Sequence, residues 1–178
     1  MIAFLESMVL RLGEQVLRLL DLPLSLFRRF SASAQDRLVG AALLLPSATV
    51  LGIAAWLTPD PSGMGTHQQL GLGGCTVLTL TGWPCPMCGM TTTFTHLAHL
   101  HLIDGFLTQP FGIVLFGATV TMAVMGLLDV VSPGRRWLQA LKWVDRHESL
   151  VAGILLVGMI GGWTYKILMV KQILPWAP

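Results

Sequence analysis

The sequence predicts an all-α integral membrane protein with three transmembrane helices, and two observations lead to that prediction. Only 11% of the 178 residues are charged and 53% are hydrophobic, whereas soluble domains carry roughly 25% charged residues. Residues 38–134 contain no Lys and no Arg, so all 11 cationic side chains flank this window. The composition excludes a water-facing surface, and the net charge of only +2 argues against nucleic acid as a partner.

Three stretches are long and apolar enough to cross a bilayer, which takes about 20 residues. They are residues 38–57, about 111–131 and about 150–170. Pro46 within the first is tolerated because neighbouring helices re-satisfy the carbonyl that it frees. Lys166 near the end of the third is expected to extend to the lipid head groups. The third stretch also has small residues that let another helix approach closely, namely Gly153, Gly158, Gly161 and Gly162.

The distribution of cations predicts the orientation. Lys and Arg lie before the first span and in the loop after the second, and such loops remain in the cytoplasm. The N-terminus and the 132–149 loop are therefore predicted to be cytoplasmic, and the 58–110 loop and the short C-terminus extracytoplasmic. A crossing by residues 89–107 would move the basic loop outside. We therefore predict that residues 86–104 form an extracytoplasmic helix that is interfacial, re-entrant or packed on the spans.

The first 37 residues form a separate cytoplasmic-face segment in this scheme, and residues 38–178 form a single membrane domain. Within the segment, charged residues recur at helical spacing among Leu and Val until Pro23. The pattern is typical of an amphipathic helix that lies in the membrane interface. The alternative is a helix that packs on a partner protein.

A cysteine pair lies in the middle of the uncharged window, as Cys85-Pro86-Met87-Cys88, with Cys75 ten residues earlier. Pro86 suits the first position of a helix. Both thiols are then predicted at the positive end of that helix, where a thiolate is favoured. Between Cys75 and the pair, residues 77–80 are expected to be a short extended piece.

Three interpretations of these thiols remain open. Cys75, Cys85 and Cys88 could bind zinc with a histidine as fourth ligand. His67 is the better candidate, because His96 would lie roughly 12 Å along the helix from Cys88. Alternatively, Cys85 is the nucleophile and Cys88 the resolving thiol of a membrane thiol–disulfide oxidoreductase. In the third interpretation Cys75 simply forms a structural disulfide with one member of the pair.

The predicted helix also carries His96, His99 and His101. Imidazoles at this place could bind haem, a pigment or a second metal. The alternative is that they lie at the lipid–water boundary and bond to backbone or water. Asp104 is a candidate partner for one of these rings, and Asp129 is expected at the cytoplasmic boundary of the second span.

The segment from Cys75 through Thr81-Gly82-Trp83-Pro84-Cys85-Pro86-Met87-Cys88-Gly89-Met90-Thr91 resembles a family of small bacterial membrane proteins of unknown function, marked by C-P-x-C-G-x-T-R. The resemblance covers roughly residues 72–130 and includes a histidine matching His99 and the step Gln109-Pro110. Thr92 replaces the arginine of the motif, and Leu100-His101 replaces a Gly-Asp. The resemblance implies a bacterial integral membrane protein, which we expect in the cytoplasmic membrane, and supplies no activity.

The sequence shows no Ser-His-Asp set, phosphate loop or paired carboxylates, so an enzyme is not favoured. The leading hypothesis is a non-catalytic accessory or assembly subunit of a larger membrane complex. Its Cys cluster would stabilise the outer loop through zinc or a disulfide, and its third span and N-terminal helix would contact other membrane subunits. The alternatives are the thiol–disulfide oxidoreductase and a metal or cofactor carrier that uses the histidines.

Overall fold

The computed structural model describes residues 30–171, in which seven α-helices and one 3-10 helix occur and no strand. The α-helices are α1 (Ala32–Trp56), α2 (Thr76–Thr81), α3 (Met90–Ala98), α4 (Leu102–Thr108), α5 (Pro110–Val131), α6 (Arg136–Arg146) and α7 (Glu148–Val170), and the 3-10 helix is Thr66–Leu70. The all-α prediction is confirmed. The amphipathic helix predicted before Pro23 lies outside the described residues.

Three helices, α1, α5 and α7, are long and apolar enough to cross a membrane. They have 25, 22 and 23 residues and mean hydropathies of 2.1, 2.2 and 1.6, and a span takes about 20 residues. These helices confirm the three predicted spans. The first begins at Ala32, earlier than expected, because the Oγ of Ser31 accepts the Ala34 N–H at 3.3 Å and caps the helix there.

Helices α1 and α5 cross at two glycines, Gly40 and Gly126. A Cβ at position 126 would lie 2.6 Å from the carbonyl oxygen of Gly40 and 2.7 Å from the backbone nitrogen of Leu44. The two backbones therefore touch, which is the usual role of small residues between membrane helices. The atoms that an added Cβ would meet here belong to the backbone, whereas the shorter contact between Gly158 of α7 and Phe111 of α5 involves a side-chain ring.

The glycines of α7 divide into two sets. Cβ atoms at Gly158 and Gly162 would collide with Phe111 of α5, so these two pack inside the molecule. Gly153 and Gly161 have no other atom within 4 Å of an added Cβ and face away from the rest of the described chain.

One end of the bundle contains the α5–α6 loop. Two buried aspartates hold the helix ends together there. Asp129 accepts from Arg136 Nη1 at 3.0 Å and from the Trp137 N–H at 3.1 Å. The Trp137 Nε1–H donates to Asp36 of α1 at 2.9 Å. Asp129 is fully buried and Asp36 is 4% exposed. Asp129 thus lies at the end of its span, as expected, but is enclosed by protein.

The segment between α1 and α5 differs from the prediction in two places. Residues 77–80 belong to helix α2 and are not extended. The single helix predicted over 86–104 is wrong, because the Cys85–Cys88 segment is a turn and only Met90–Ala98 and Leu102–Thr108 are helical. Gly89 has φ +87° and stands at the start of α3. A left-handed residue at this point prevents the turn from continuing into the helix.

The expectation that Lys166 extends to the lipid head groups is wrong. Its side chain is 3% exposed, and its Nζ donates to the carbonyls of Gly63 and Thr108, both at 3.1 Å. Two neighbours in α7 make similar bonds. The Trp163 Nε1–H donates to the Pro84 carbonyl at 2.8 Å, and the Tyr165 hydroxyl donates to the Leu107 carbonyl at 2.6 Å. The end of α7 is therefore bonded to the segment between α1 and α5.

The glycine crossing yields a matched pair of variants in α5. Gly126→Ala is expected to lower the free energy of unfolding by about 1–3 kcal/mol, because the added methyl meets backbone atoms that cannot rotate away. Gly117→Ala adds the same methyl where no atom lies within 4 Å, and is expected to be neutral or to stabilise the helix by up to about 1 kcal/mol. Reversible unfolding in mixed micelles measures both. Equal effects at the two positions would contradict the close crossing.

Candidate thiol site

The three cysteines meet in space. The Sγ of Cys88 lies 3.3 Å from the Sγ of Cys85 and 3.3 Å from that of Cys75. All three sulfurs fall within 4.8 Å of one another, and all three thiols are free. The cluster of Cys75, Cys85 and Cys88, here called the thiol site, is therefore close enough to hold one metal ion.

The turn from Cys85 to Cys88 positions two of the sulfurs. The Cys88 N–H donates to the Cys85 carbonyl at 3.0 Å and closes the turn. The Cys85 N–H in return donates to the Cys88 sulfur at 3.2 Å. Gly89 follows in the left-handed conformation, and a Cβ there would lie 2.8 Å from the Gly63 carbonyl and 2.9 Å from Lys166 Nζ. Only glycine fits this position, and the lysine Nζ lies directly beside the residue that follows Cys88.

The third sulfur comes from the start of α2, where Cys75 is the cap residue. The pKa of its thiol is lowered to about 7, chiefly because the backbone N–H of Leu78 faces the sulfur and favours the thiolate. The contact is looser than a full capping hydrogen bond. Cys88 and Cys85 add to this lowering. The pKa of Cys88 is raised to about 12, because burial disfavours its thiolate and because its proton is shared with Cys85 and Cys75. Of Cys75 and Cys88, Cys75 is therefore the thiol that ionises at the lower pH.

A cavity of about 240 Å³ opens beside the sulfurs, and His67 lines it together with Met64, Met87, Thr91 and Thr92. The Nε2 of His67 lies 3.2 Å from the Gly73 carbonyl. Its ring nitrogens are not among the ligand atoms that lie within 4.8 Å of one another. The structure thus gathers the three predicted sulfurs and leaves the predicted histidine at the rim.

Buried hydroxyls and one amide support the site, and the sequence did not single out their roles. Thr92 is 1% exposed, and its Oγ1 accepts from the Thr66 hydroxyl at 2.9 Å. Gln109 is fully buried, and its Nε2 donates to the Pro86 carbonyl at 3.3 Å. The amine of Lys166 adds a further contact, since its Nζ donates to the carbonyls of Gly63 and Thr108. The sequence marked the place of Gln109, because Pro110 suits the first position of a helix and Gln109 directly precedes it.

The three predicted histidines do not act as one group. His99 Nε2 lies 3.0 Å from the Leu57 carbonyl, so this ring ties the end of α3 to the end of α1. His96 and His101 instead lie near Asp104, with one ligand atom of each within 4.8 Å of the others. The pKa of His96 is lowered, first by burial and then by the neighbouring rings, while Asp104 opposes the shift.

The fold and the site define a helical protein with three candidate membrane spans and a three-thiol cluster between the first two of them. A family described as "Protein of unknown function (DUF2752)" has a sequence model that matches residues 75–123. The matched segment begins at Cys75 and includes the whole thiol site together with His96, His99 and His101. No curated protein and no solved structure matches the chain.

The opposite pKa shifts of Cys75 and Cys88 predict different reactivities of the two thiols in the reduced, metal-free protein. Alkylation of Cys75 by iodoacetamide is expected to rise with pH and to reach half its maximal rate near pH 7, because its lowered pKa keeps thiolate present at lower pH than usual. Cys88, with its pKa raised to about 12, is expected to stay nearly unreactive up to pH 9. Peptide mass spectrometry follows each residue separately. In the denatured chain both should titrate near the ordinary value of about 8.5, and the same profile in the folded protein would refute the assignment.

Proposed function

We propose that this chain is a non-catalytic accessory or assembly subunit of a larger membrane complex, with an outer region stabilised by a metal ion in the thiol site. The observation that carries the proposal is the convergence of all three sulfurs within 4.8 Å of one another. A borderline-soft divalent cation suits three thiolates, and zinc is the most common ion in such structural sites.

The number of thiols favours a metal over a disulfide. A disulfide joins two sulfurs at about 2.05 Å and would leave the third unused. Three sulfurs around zinc, each at about 2.3 Å from the ion, would lie about 3.8 Å apart. The observed separations of 3.3 Å need an expansion of only about half an ångström to accept an ion.

The surroundings are also suited to a thiolate–metal centre. Three thiolates exceed the charge of one divalent ion, so the loaded site would be anionic. Lys166 places its Nζ beside Gly89, next to Cys88, and the Cys85 N–H already donates to sulfur. His67 is the proposed fourth ligand, because it lines the cavity and a bond from Nε2 to the Gly73 carbonyl would leave Nδ1 free for the ion.

An accessory role rests on the outward face of α7. Gly153 and Gly161 lie open on this face, and large apolar side chains flank them, such as Val157 at 71% exposed and Ile160 at 50%. Small residues that no internal helix uses permit close approach of a helix from another subunit. No catalytic triad or phosphate loop occurs in the sequence, so a structural role is favoured.

We place the protein in a bacterial cytoplasmic membrane with the thiol site outside. The support is the C-P-x-C-G segment that resembles the small bacterial membrane proteins, and the basic residues at the opposite end of the bundle, Arg135, Arg136, Lys142 and Arg146. A membrane-impermeant maleimide that labelled the reduced thiols only in lysed cells would contradict this orientation.

A thiol–disulfide exchange function is the second candidate, favoured by the lowered pKa of Cys75. In that mechanism the Cys75 thiolate attacks a disulfide of a partner protein and releases one partner thiol. The Cys88 thiol then loses its proton and attacks Cys75, which releases the second partner thiol and leaves a Cys75–Cys88 disulfide. The attacking residue would be Cys75, whereas the sequence motif pointed to Cys85.

Metal content separates the two candidates. The protein purified under reducing conditions is expected to contain one equivalent of zinc at the thiol site, and Cys75→Ser or Cys88→Ser should remove that equivalent. Removal by a chelator should lower the thermal unfolding midpoint, because metal bound only by the folded state stabilises it. A Met87→Leu variant is the matched control, since it changes another cavity residue that offers no thiolate.

A zinc content in both serine variants equal to that of the unmodified chain would refute the thiol site as a zinc ligand set. A protein without metal, in which Cys88→Ser instead traps mixed disulfides with partner proteins through Cys75, would replace the structural proposal with the exchange function.

The accessory role predicts a complex that depends on the open face of α7. In mild detergent the tagged chain is expected to migrate on native gels far above its own mass, and Gly161→Leu should release it as a monomer. Gly117→Leu adds the same side chain at an open position of α5 and should leave the complex intact. Migration of the unmodified chain as a lone monomer would refute the accessory role.

A further inference from the structure

A second cluster of metal-ligating side chains lies apart from the thiol site. One ring nitrogen each of His96 and His101 and one carboxylate oxygen of Asp104 lie within 4.8 Å of one another. The cluster, here called the histidine site, lines a cavity of about 430 Å³, which Asp60 and Gly63 also line. His101 and Asp104 are exposed and His96 is half-buried, so the cavity connects to the surface.

The backbone between α3 and α4 brings these residues together. The His101 N–H donates to the His96 carbonyl at 2.9 Å, and the Leu100 N–H donates to the Leu97 carbonyl at 3.1 Å. This is the Schellman pattern of a helix end, and Leu100 occupies its left-handed position with φ +64°. Residues other than glycine seldom adopt this left-handed conformation. The turn folds the chain back, so that the rings of His96 and His101 lie 6.0 Å apart between centroids.

Helix packing holds the third ligand in place. Gly105 lies next to Asp104, and a Cβ there would be 2.9 Å from Leu97 of α3. The Thr93 hydroxyl of α3 also donates to the Gly105 carbonyl at 3.4 Å. These contacts fix α4 against α3 and keep the carboxylate of Asp104 beside the two rings.

An unpaired nitrogen gives independent support. The Nδ1 of His96 is buried and has no hydrogen-bond partner among the described residues. A buried polar atom without a partner is rare in native proteins and often marks the place of a water or an ion. His99, by contrast, has a ring nitrogen within hydrogen-bond distance of the Leu57 carbonyl and stays outside the cluster.

We propose that His96, His101 and Asp104 form a second metal site, which takes a divalent first-row transition cation such as Zn²⁺ or Co²⁺. Two imidazoles and one carboxylate suit this class of ion. Ligand atoms around such an ion lie about 3.4 Å apart at bond lengths of about 2.1 Å, so small rotations of the exposed His101 and Asp104 side chains complete the site. Three protein ligands leave a coordination position that faces the cavity, where water or a small exogenous ligand binds.

Cobalt titration of the full chain in detergent tests the proposal and separates it from the thiol site. Co²⁺ bound by thiolates gives a strong sulfur-to-metal charge-transfer band, whereas Co²⁺ bound by nitrogen and oxygen gives only weak visible bands. The wild-type chain is expected to take up two equivalents, one with the charge-transfer band and one without. His101→Ala and Asp104→Asn should each weaken the second binding step about 10-fold or more and leave the first unchanged.

His147→Ala is the matched control, because it removes an imidazole from the far end of α6 and should leave both steps unchanged. Circular dichroism of each variant confirms retained helicity, and the exposed positions of His101 and Asp104 make these substitutions mild. If the wild-type chain bound one equivalent of Co²⁺ without the charge-transfer band, that result would refute the thiol site and support the histidine site. Absence of a second equivalent, or its retention in both His101→Ala and Asp104→Asn, would overturn the histidine site.

Discussion

The arrangement of the outer region depends on one buried lysine. Lys166 belongs to a membrane-spanning helix, where an unpaired cation costs several kcal/mol. Its Nζ donates to the Gly63 and Thr108 carbonyls, which precede and follow α3 in the chain. The cost of placing Nζ in an apolar span is offset only while both carbonyls stay in position. The third span therefore holds the segment that carries the thiol site, although α7 packs far less closely against the bundle than α1 and α5 pack against each other.

Polar contacts take this role because few apolar side chains are buried. The buried hydrophobic residues among those described are Ala54, Leu57, Cys88 and Leu97. Membrane helices gain little from hydrophobic association, since lipid tails are as apolar as their side chains. Buried threonines, Gln109 and Lys166 specify the end of the bundle that carries the thiol site. Asp36, Asp129 and Trp137 do the same at the opposite end. Each end is held by a network that leaves few alternative arrangements.

The sequence predicted the spans well, because length and apolar composition decide whether a helix can cross a bilayer. It failed at the thiols, where Pro86 matched a helix start but the left-handed Gly89 separates the turn from α3. The prediction for Lys166 was also wrong, because a lysine near the end of a span commonly extends to the head groups. Its carbonyl partners lie about 60 and 100 residues away in the chain. Contacts of that sequence separation leave no local pattern. The convergence of the three thiols could be expected from their spacing, whereas the contact of His99 with the Leu57 carbonyl joins residues 42 positions apart and leaves no local pattern.

The segment of residues 60–66 joins the two candidate metal sites. The Asp60 N–H donates to the Thr66 hydroxyl at 2.9 Å, and that hydroxyl donates to Thr92 of α3. Within this segment Gly63 faces Gly89 beside the thiols, accepts from Lys166 and lines the histidine cavity. The segment is thus fixed from three sides before any ion binds. A site built in advance binds an ion without a further cost of ordering its loops. We infer that this arrangement suits metal ligands better than a disulfide, because a disulfide would draw two sulfurs from 3.3 Å to about 2.05 Å and leave the third unused.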